Sequence, residues 1–86
     1  MAEQQIGRVT HYFGKIGVAA IELTDGSLAL GDTIHVKGHT TDFYQKIESM
    51  QMEHAPVPSA KIGESFGLEV ESQVRQHDLV YKSTED

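Results

Sequence analysis

Apolar side chains in this chain recur at every second position, in short runs cut by glycine, and that period favours strands over helices. Phe66, Leu68 and Val70 fall on one side of the run 64–71, with Ser65, Gly67, Glu69 and Glu71 on the other. Ile34 and Val36 alternate in the same way with Thr33, His35 and Lys37. Successive strand residues point to opposite faces, so each run has one apolar face and one wet face. Two longer runs change phase. Ile47 is out of step with Met50 and Met52, which predicts a β-bulge near Glu48–Ser49. Ile16, Val18 and Ala20 give way to Ile21 and Leu23, which predicts either a bulge near Ala19–Ala20 or cover on both faces.

Turn residues divide these runs at regular intervals: Gly14-Lys15, Asp25-Gly26, Gly31-Asp32, Gly38, Pro56 with Pro58, and Gly63. The strands they bound are 5–13, 16–24, 33–38, 42–53, 64–72 and 78–82. Proline lacks the amide that a central strand needs, so 56–58 is a break. At most a turn is expected around 72–76. Six short strands and no helix give an all-β sandwich or barrel. Closure into a barrel is favoured, because a chain of 86 residues has little else with which to cover its edge strands. Residues 1–86 form a single domain with its core over about 5–82, and the polar ends 1–4 and 83–86 are expected to fray.

Composition narrows the chemistry. Without cysteine there is no thiolate nucleophile and no disulfide. A net charge of −6 opposes non-specific nucleic-acid binding, which depends on cations displacing counterions. The N-terminus has no basic start or apolar core of a signal peptide, and no apolar run approaches the roughly 18 residues of a membrane span. The expectation is a cytoplasmic monomer with no membrane partner.

No catalytic or metal site is expected, and no cofactor. His35 and His39 have a helical spacing in a stretch that reads as strand and turn, and His11, His54 and His77 lie in other segments. All five read as solvated. The carboxylate pairs Glu69/Glu71, Glu48/Glu53 and Asp25/Asp32 read as a solubilising surface. Ser49, Ser59, Ser65 and Ser72 have neither an adjacent histidine nor a nucleophile-elbow motif. The aromatics are more suggestive. Tyr12-Phe13 and Phe43-Tyr44 are adjacent pairs, so one ring of each faces outward. Phe13 and Phe43 are assigned to the core, Tyr12 and Tyr44 to the surface. Arg8 shares the parity of Tyr12, Lys15 lies in the next turn, and Lys46 shares the parity of Tyr44. Tyrosine beside a cation can stack a base and neutralise a phosphate. Arg8, Tyr12, Lys15, Tyr44 and Lys46 are therefore the candidate binding surface, for RNA, the ribosome or a partner protein.

The ordered blocks Gly7-Arg8-Val9, Gly17-Val18-Ala19-Ala20, Gly26-Ser27-Leu28-Ala29-Leu30-Gly31-Asp32-Thr33-Ile34, Lys46-Ile47-Glu48-Ser49-Met50, Lys61-Ile62-Gly63-Glu64-Ser65-Phe66 and His77-Asp78-Leu79-Val80-Tyr81 carry a resemblance. Over residues 6–82 the chain resembles domain two of the translational GTPases, including elongation factor Tu. The resemblance implies a closed six-stranded Greek-key β-barrel and a non-catalytic module associated with translation or RNA. The phosphate-binding loop of a GTPase is missing, as are the aminoacyl-pocket residues expected at Gly7, Arg8 and Thr10. Similar barrels occur as appendages of collagenase-like peptidases. That gives the alternative expectation of a protein-interaction module working with a separately encoded enzyme.

Overall fold

A computed structural model describes residues 2–53 and 55–84. His54 and the outermost termini (Met1, 85–86) lie outside the described residues, so the expectations made for them are not addressed. The architecture is all-β, with no helix among the described residues. Ten strands follow in chain order: β1 (Ala2–Phe13), β2 (Val18–Leu23), β3 (Leu28–Ala29), β4 (Thr33–Lys37), β5 (Asp42–Lys46), β6 (Gln51–Met52), β7 (Ala55–Pro56), β8 (Ser59–Ala60), β9 (Ser65–Glu69) and β10 (Leu79–Thr84). Eight of them form one sheet in the order β5-β4-β10-β1-β2-β9-β6-β7, and β3 pairs with β8 separately. Every pairing is antiparallel. The outer strands β5 and β7 are not paired to each other, so among the described residues no ladder closes the sheet into the expected six-stranded barrel.

Side chains nevertheless bring the far parts of the sheet together. Gln45 at the end of β5 donates from Nε2 to the Glu69 carbonyl of β9 (2.6 Å), and its Oε1 accepts from the Glu71 amide (2.8 Å). One buried amide thus links β5 to the strand pair on the opposite flank of the sheet. Inside this curl lies a single apolar cluster that includes Ile6, Val9, Ile21, Leu23, Ile34, Val36, Ile47, Met50, Phe66, Leu68 and Val80. Residues from seven of the strands and from the connections between them supply it, which is how so short a chain assembles one continuous core.

The bulges fall where the sequence does not announce them. β1 slips register between Gln5 and Gly7 against β10, and again between Val9 and His11 against β2. At Gly7 the strands approach so closely that a Cβ there would run into the Glu22 carbonyl of β2. β2 itself is regular: Ala19, Ile21 and Leu23 face the core, and Val18, Ala20 and Glu22 are half-buried on the other side. Neither expectation describes that run: β2 has no bulge, the slip lies in β1 opposite Ala20, and the outer face of β2 is only half-buried. The expected bulge near Glu48–Ser49 is instead a break between β5 and β6, where the chain leaves the β4 side of the sheet and joins β9. Ile47 and Met50 are both buried across that crossing, although their parities differ.

Pro56 lies on the outermost strand, where a missing amide is tolerated. The terminal segments pair instead of fraying: Ala2 aligns with Thr84 and Glu3 with Ser83. Backbone ladders need no apolar side chains, which is why polarity alone misled there.

Candidate docking surface

The β1–β2 hairpin carries the most prominent exposed apolar group. Its turn is closed by the Phe13 carbonyl, which accepts from the amides of Ile16 (3.2 Å) and Gly17 (2.9 Å). Gly17 takes φ 66°, a left-handed conformation that glycine adopts without steric cost. The turn leaves Ile16 68% exposed, and Phe13 beside it 47% exposed.

Register then sets what lies next to them. Directly opposed residues share a face, so His11, Ala20, Gly67 and Gln51 form one row across β1, β2, β9 and β6. Phe13, Val18 and Glu69 form the next row. The His11 ring meets the Phe13 ring edge-on, with centroids 4.5 Å apart. Phe13, Ile16, Val18, Ala20 and Gly67 line a shallow groove of about 440 Å³, rimmed by Gln51 and Glu53. Half-buried apolar side chains on an outer sheet face, continuous with an exposed isoleucine, are the kind of surface that proteins cover with a partner.

The structure does not gather the expected binding residues into one surface. Arg8 is exposed, but its guanidinium is paired with Glu22 on β2 (Nη2–Oε1 3.0 Å; Nε–Oε1 3.3 Å). Tyr12 is not a surface ring; it packs against the core, opposite buried Ala19. The bulge at Thr10 accounts for this. It reverses parity, so Arg8 and His11 point outward while Val9 and Tyr12 point inward, and Phe13 replaces Tyr12 as the outer aromatic. Lys15 is exposed in the hairpin turn. Tyr44 and Lys46 are exposed together on β5, but that strand is separated from β1 by β4 and β10. Phe43 packs against the core as expected.

Tyr44 is engaged in a cluster that the sequence did not signal. His35 on β4 stands opposite Tyr44 on β5 and Tyr81 on β10. Its ring stacks on Tyr44, with centroids 4.1 Å apart and planes at 15°. Nδ1 contacts Glu3 Oε1 at 2.8 Å, Nε2 contacts Asp42 Oδ1, and the Tyr44 hydroxyl donates to Glu3 Oε2 at 2.5 Å. His35 is only 7% exposed, so the solvated reading fails for this residue.

Burial opposes a charge on His35, but the hydrogen bonds to Glu3 and Asp42, and their negative charge, outweigh it and hold the imidazole above its ordinary range. The same contact with His35, followed by the Tyr44 hydroxyl, holds the Glu3 carboxyl below the usual range. Tyr44 is pushed up, chiefly by its bond to Glu3. Lys37 adds a weaker pull on Glu3.

The sign for stability follows from the raised His35 pKa. Its contribution is complete below the unfolded value of about 6.5 and is lost as pH rises through the folded value above it. Glu3 acts in the opposite sense, losing its contribution as pH falls through its depressed value. The urea midpoint should therefore drop as pH rises above the ordinary histidine value of about 6.5. His35→Gln should remove that drop; an unchanged pH slope in the variant would show that another group causes it.

Among the described residues no three histidine or acidic side chains converge to hold a metal ion. No helix among them is long and apolar enough to cross a membrane.

No family model matches the chain. It is 42% identical over 78 residues to an uncharacterised protease of Methanocaldococcus jannaschii, covering 90% of this chain and 19% of that protein. It is 35% identical over 78 residues to a collagenase of Porphyromonas gingivalis, covering 90% of this chain and 22% of that protein. The chain thus spans about a fifth of the length of the curated relatives it matches.

The fold matches the crystallised C-terminal domain of a Geobacillus thermoleovorans protein described as a U32 peptidase, with TM-score 0.86 at 19% identity, covering 94% of this chain and 93% of that one. GDP-bound aIF5B from Aeropyrum pernix matches with TM-score 0.63 at 11% identity, covering 92% of this chain and 15% of that one. The translation-factor resemblance is corrected accordingly. What is shared with a translation factor is fold alone, and the sequence relatives are a protease and a collagenase, not elongation factors or RNA-binding proteins.

Proposed function

We propose that this chain is a non-catalytic accessory module of a collagenase-like peptidase, and that it docks on the peptidase polypeptide in the same chain or beside it. The observation that carries this reading is the pattern of similarity: about nine-tenths of this chain aligns with about a fifth of a protease and of a collagenase. The remaining four-fifths of those proteins is then the natural place for the chemistry. The state of the side chains agrees with that division. Both ring nitrogens of the buried His35 are committed to carboxylates, and Arg8 is committed to Glu22. We read the curled sheet as a barrel in the making, a reading supported by the Gln45 bridge between β5 and β9. Of the residues expected to bind, Lys15 stays in the proposed surface, because it shares the hairpin turn with Ile16.

Capture from extracts of the native cells with an antibody against this chain, followed by protein identification, tests the proposal. A peptidase of the U32 or collagenase kind should be recovered, either as a longer chain carrying this sequence or as a bound partner. Recovery of the chain with no peptidase would overturn the reading. So would hydrolysis of denatured collagen by the purified chain alone.

A further inference from the structure

We infer that the groove between the β1–β2 hairpin and β9 is the docking site for the peptidase polypeptide, and that its occupant is an apolar side chain presented by that polypeptide. The inference rests on the accessory-module reading and adds the surface to it. The length of the relatives supports the occupant: this unit matches about a fifth of each polypeptide, and about four-fifths lies outside the match. A match of 78 residues in a chain of 86 leaves only eight unmatched, so a continuous match must take in both the hairpin and β9.

The groove has the shape for one apolar group. Its floor is Gly67, on the outer face of β9, where the missing side chain leaves a gap between Ala20 and Gln51. A Cβ at Gly67 would meet Val18 Cγ1 at 3.4 Å and the Gln51 carbonyl at 3.9 Å, ordinary contact distances, and no other atom comes nearer. The position is therefore open, not forbidden, and what it leaves empty lies on the groove side of the sheet. Phe13 and Ile16 form one wall; the His11 ring meets Phe13 edge-on, yet Phe13 stays 47% and Ile16 68% exposed. Charge lies at the edges, at Glu53, at Glu69 in the row of Phe13 and Val18, and at Lys15 in the turn, so an apolar group seated over Ala20 and Gly67 need not strip water from a fixed charge.

A filling substitution and a placed cross-linker test this with the domain still folded. Gly67→Leu fills the groove from within, and Phe13→Ser with Ile16→Asp removes its wall; circular dichroism checks that each variant keeps its strands. Where the peptidase is a separate chain, either variant should weaken its recovery roughly 30-fold, as expected for loss of a central anchor. A photo-activated cross-linker at Ile16 should join the chain to the peptidase, whereas one at Ile62, which is 61% exposed but outside the groove, should not.

Undiminished recovery of a separate peptidase chain by both variants, or cross-linking only from Ile62, would overturn the groove while leaving the accessory reading intact. Cross-linking of Ile16 to a second copy of this chain would overturn it as well. Failure of the unaltered chain to recover any peptidase would overturn both proposals.

Discussion

Ile21→Ala should lower the stability of the domain by about 3–4 kcal/mol. Ile21 is fully buried on the core face of β2, paired to Val9 on one side and to Phe66 on the other, both also buried. Removing its methyl and methylene groups loses their transfer free energy and leaves a cavity that a sheet pinned on both flanks cannot close. A domain of this size has a total stability of only about 4–13 kcal/mol, so the variant sits near the edge of unfolding. The urea midpoint should fall sharply with the slope unchanged, because the surface exposed on unfolding is nearly the same. The melting temperature should fall by roughly 12–30 °C. Ile16→Ala is the matched comparison: Ile16 is 68% exposed, and its loss should shift stability by less than about 0.5 kcal/mol. Equal effects at the two positions would mean that the core is misassigned.

Gln45→Leu should cost about 2 kcal/mol, which is large for a polar residue near the edge of a sheet. Leucine has nearly the volume of glutamine but can neither donate to the Glu69 carbonyl nor accept from the Glu71 amide. Two backbone groups lose their partner at once, and water can reach them only partly, because Gln45 itself is 8% exposed. The sheet also loses its bridge between β5 and β9. Exchange of the Glu71 amide hydrogen should quicken at least tenfold, since opening no longer requires breaking that bond. Gln45→Glu distinguishes the two halves of the bridge. A carboxylate can still accept from the Glu71 amide but faces the Glu69 carbonyl with a second acceptor, so its defect should shrink as the carboxylate is protonated. Slow exchange at Glu71 in Gln45→Leu would show that the backbone, not the side chain, holds the seam.

The strands were legible wherever alternation was clean. Ile34 and Val36 on β4, and Phe66 and Leu68 on β9, bury as their period requires. The turns at Gly31-Asp32 and Gly63-Glu64 also behave as read: Asp32 Oδ2 accepts from the Ala29 amide at 2.9 Å, and Glu64 Oε1 from the Lys61 amide at 2.9 Å. What failed was phase. A bulge shifts every later residue to the opposite face, and the slip at Thr10 occurs in a stretch whose own pattern gives no warning of it. That single slip turned Tyr12 inward and Phe13 outward, and so displaced the candidate surface from the tyrosines to the hairpin.

The His35 cluster was hidden for a different reason. Glu3, His35 and Tyr81 are far apart in the chain, Asp42 reaches His35 from the next strand, and only the strand order β5-β4-β10-β1 sets all four side by side. Val74 was likewise missed: it is buried in an irregular stretch where no period marks it. The groove combines both difficulties, because its floor is a glycine whose lack of a side chain matters only once Val18, Ala20 and Gln51 are known to surround it.

Native size-exclusion chromatography of a cell extract, with immunoblotting against this chain, tests the central claim most directly. If the domain serves a peptidase, all of its signal should elute in fractions that hold that enzyme, at a mass several times the 9.5 kDa of the chain. Elution as a free species of about 9.5 kDa, apart from any peptidase, would contradict it.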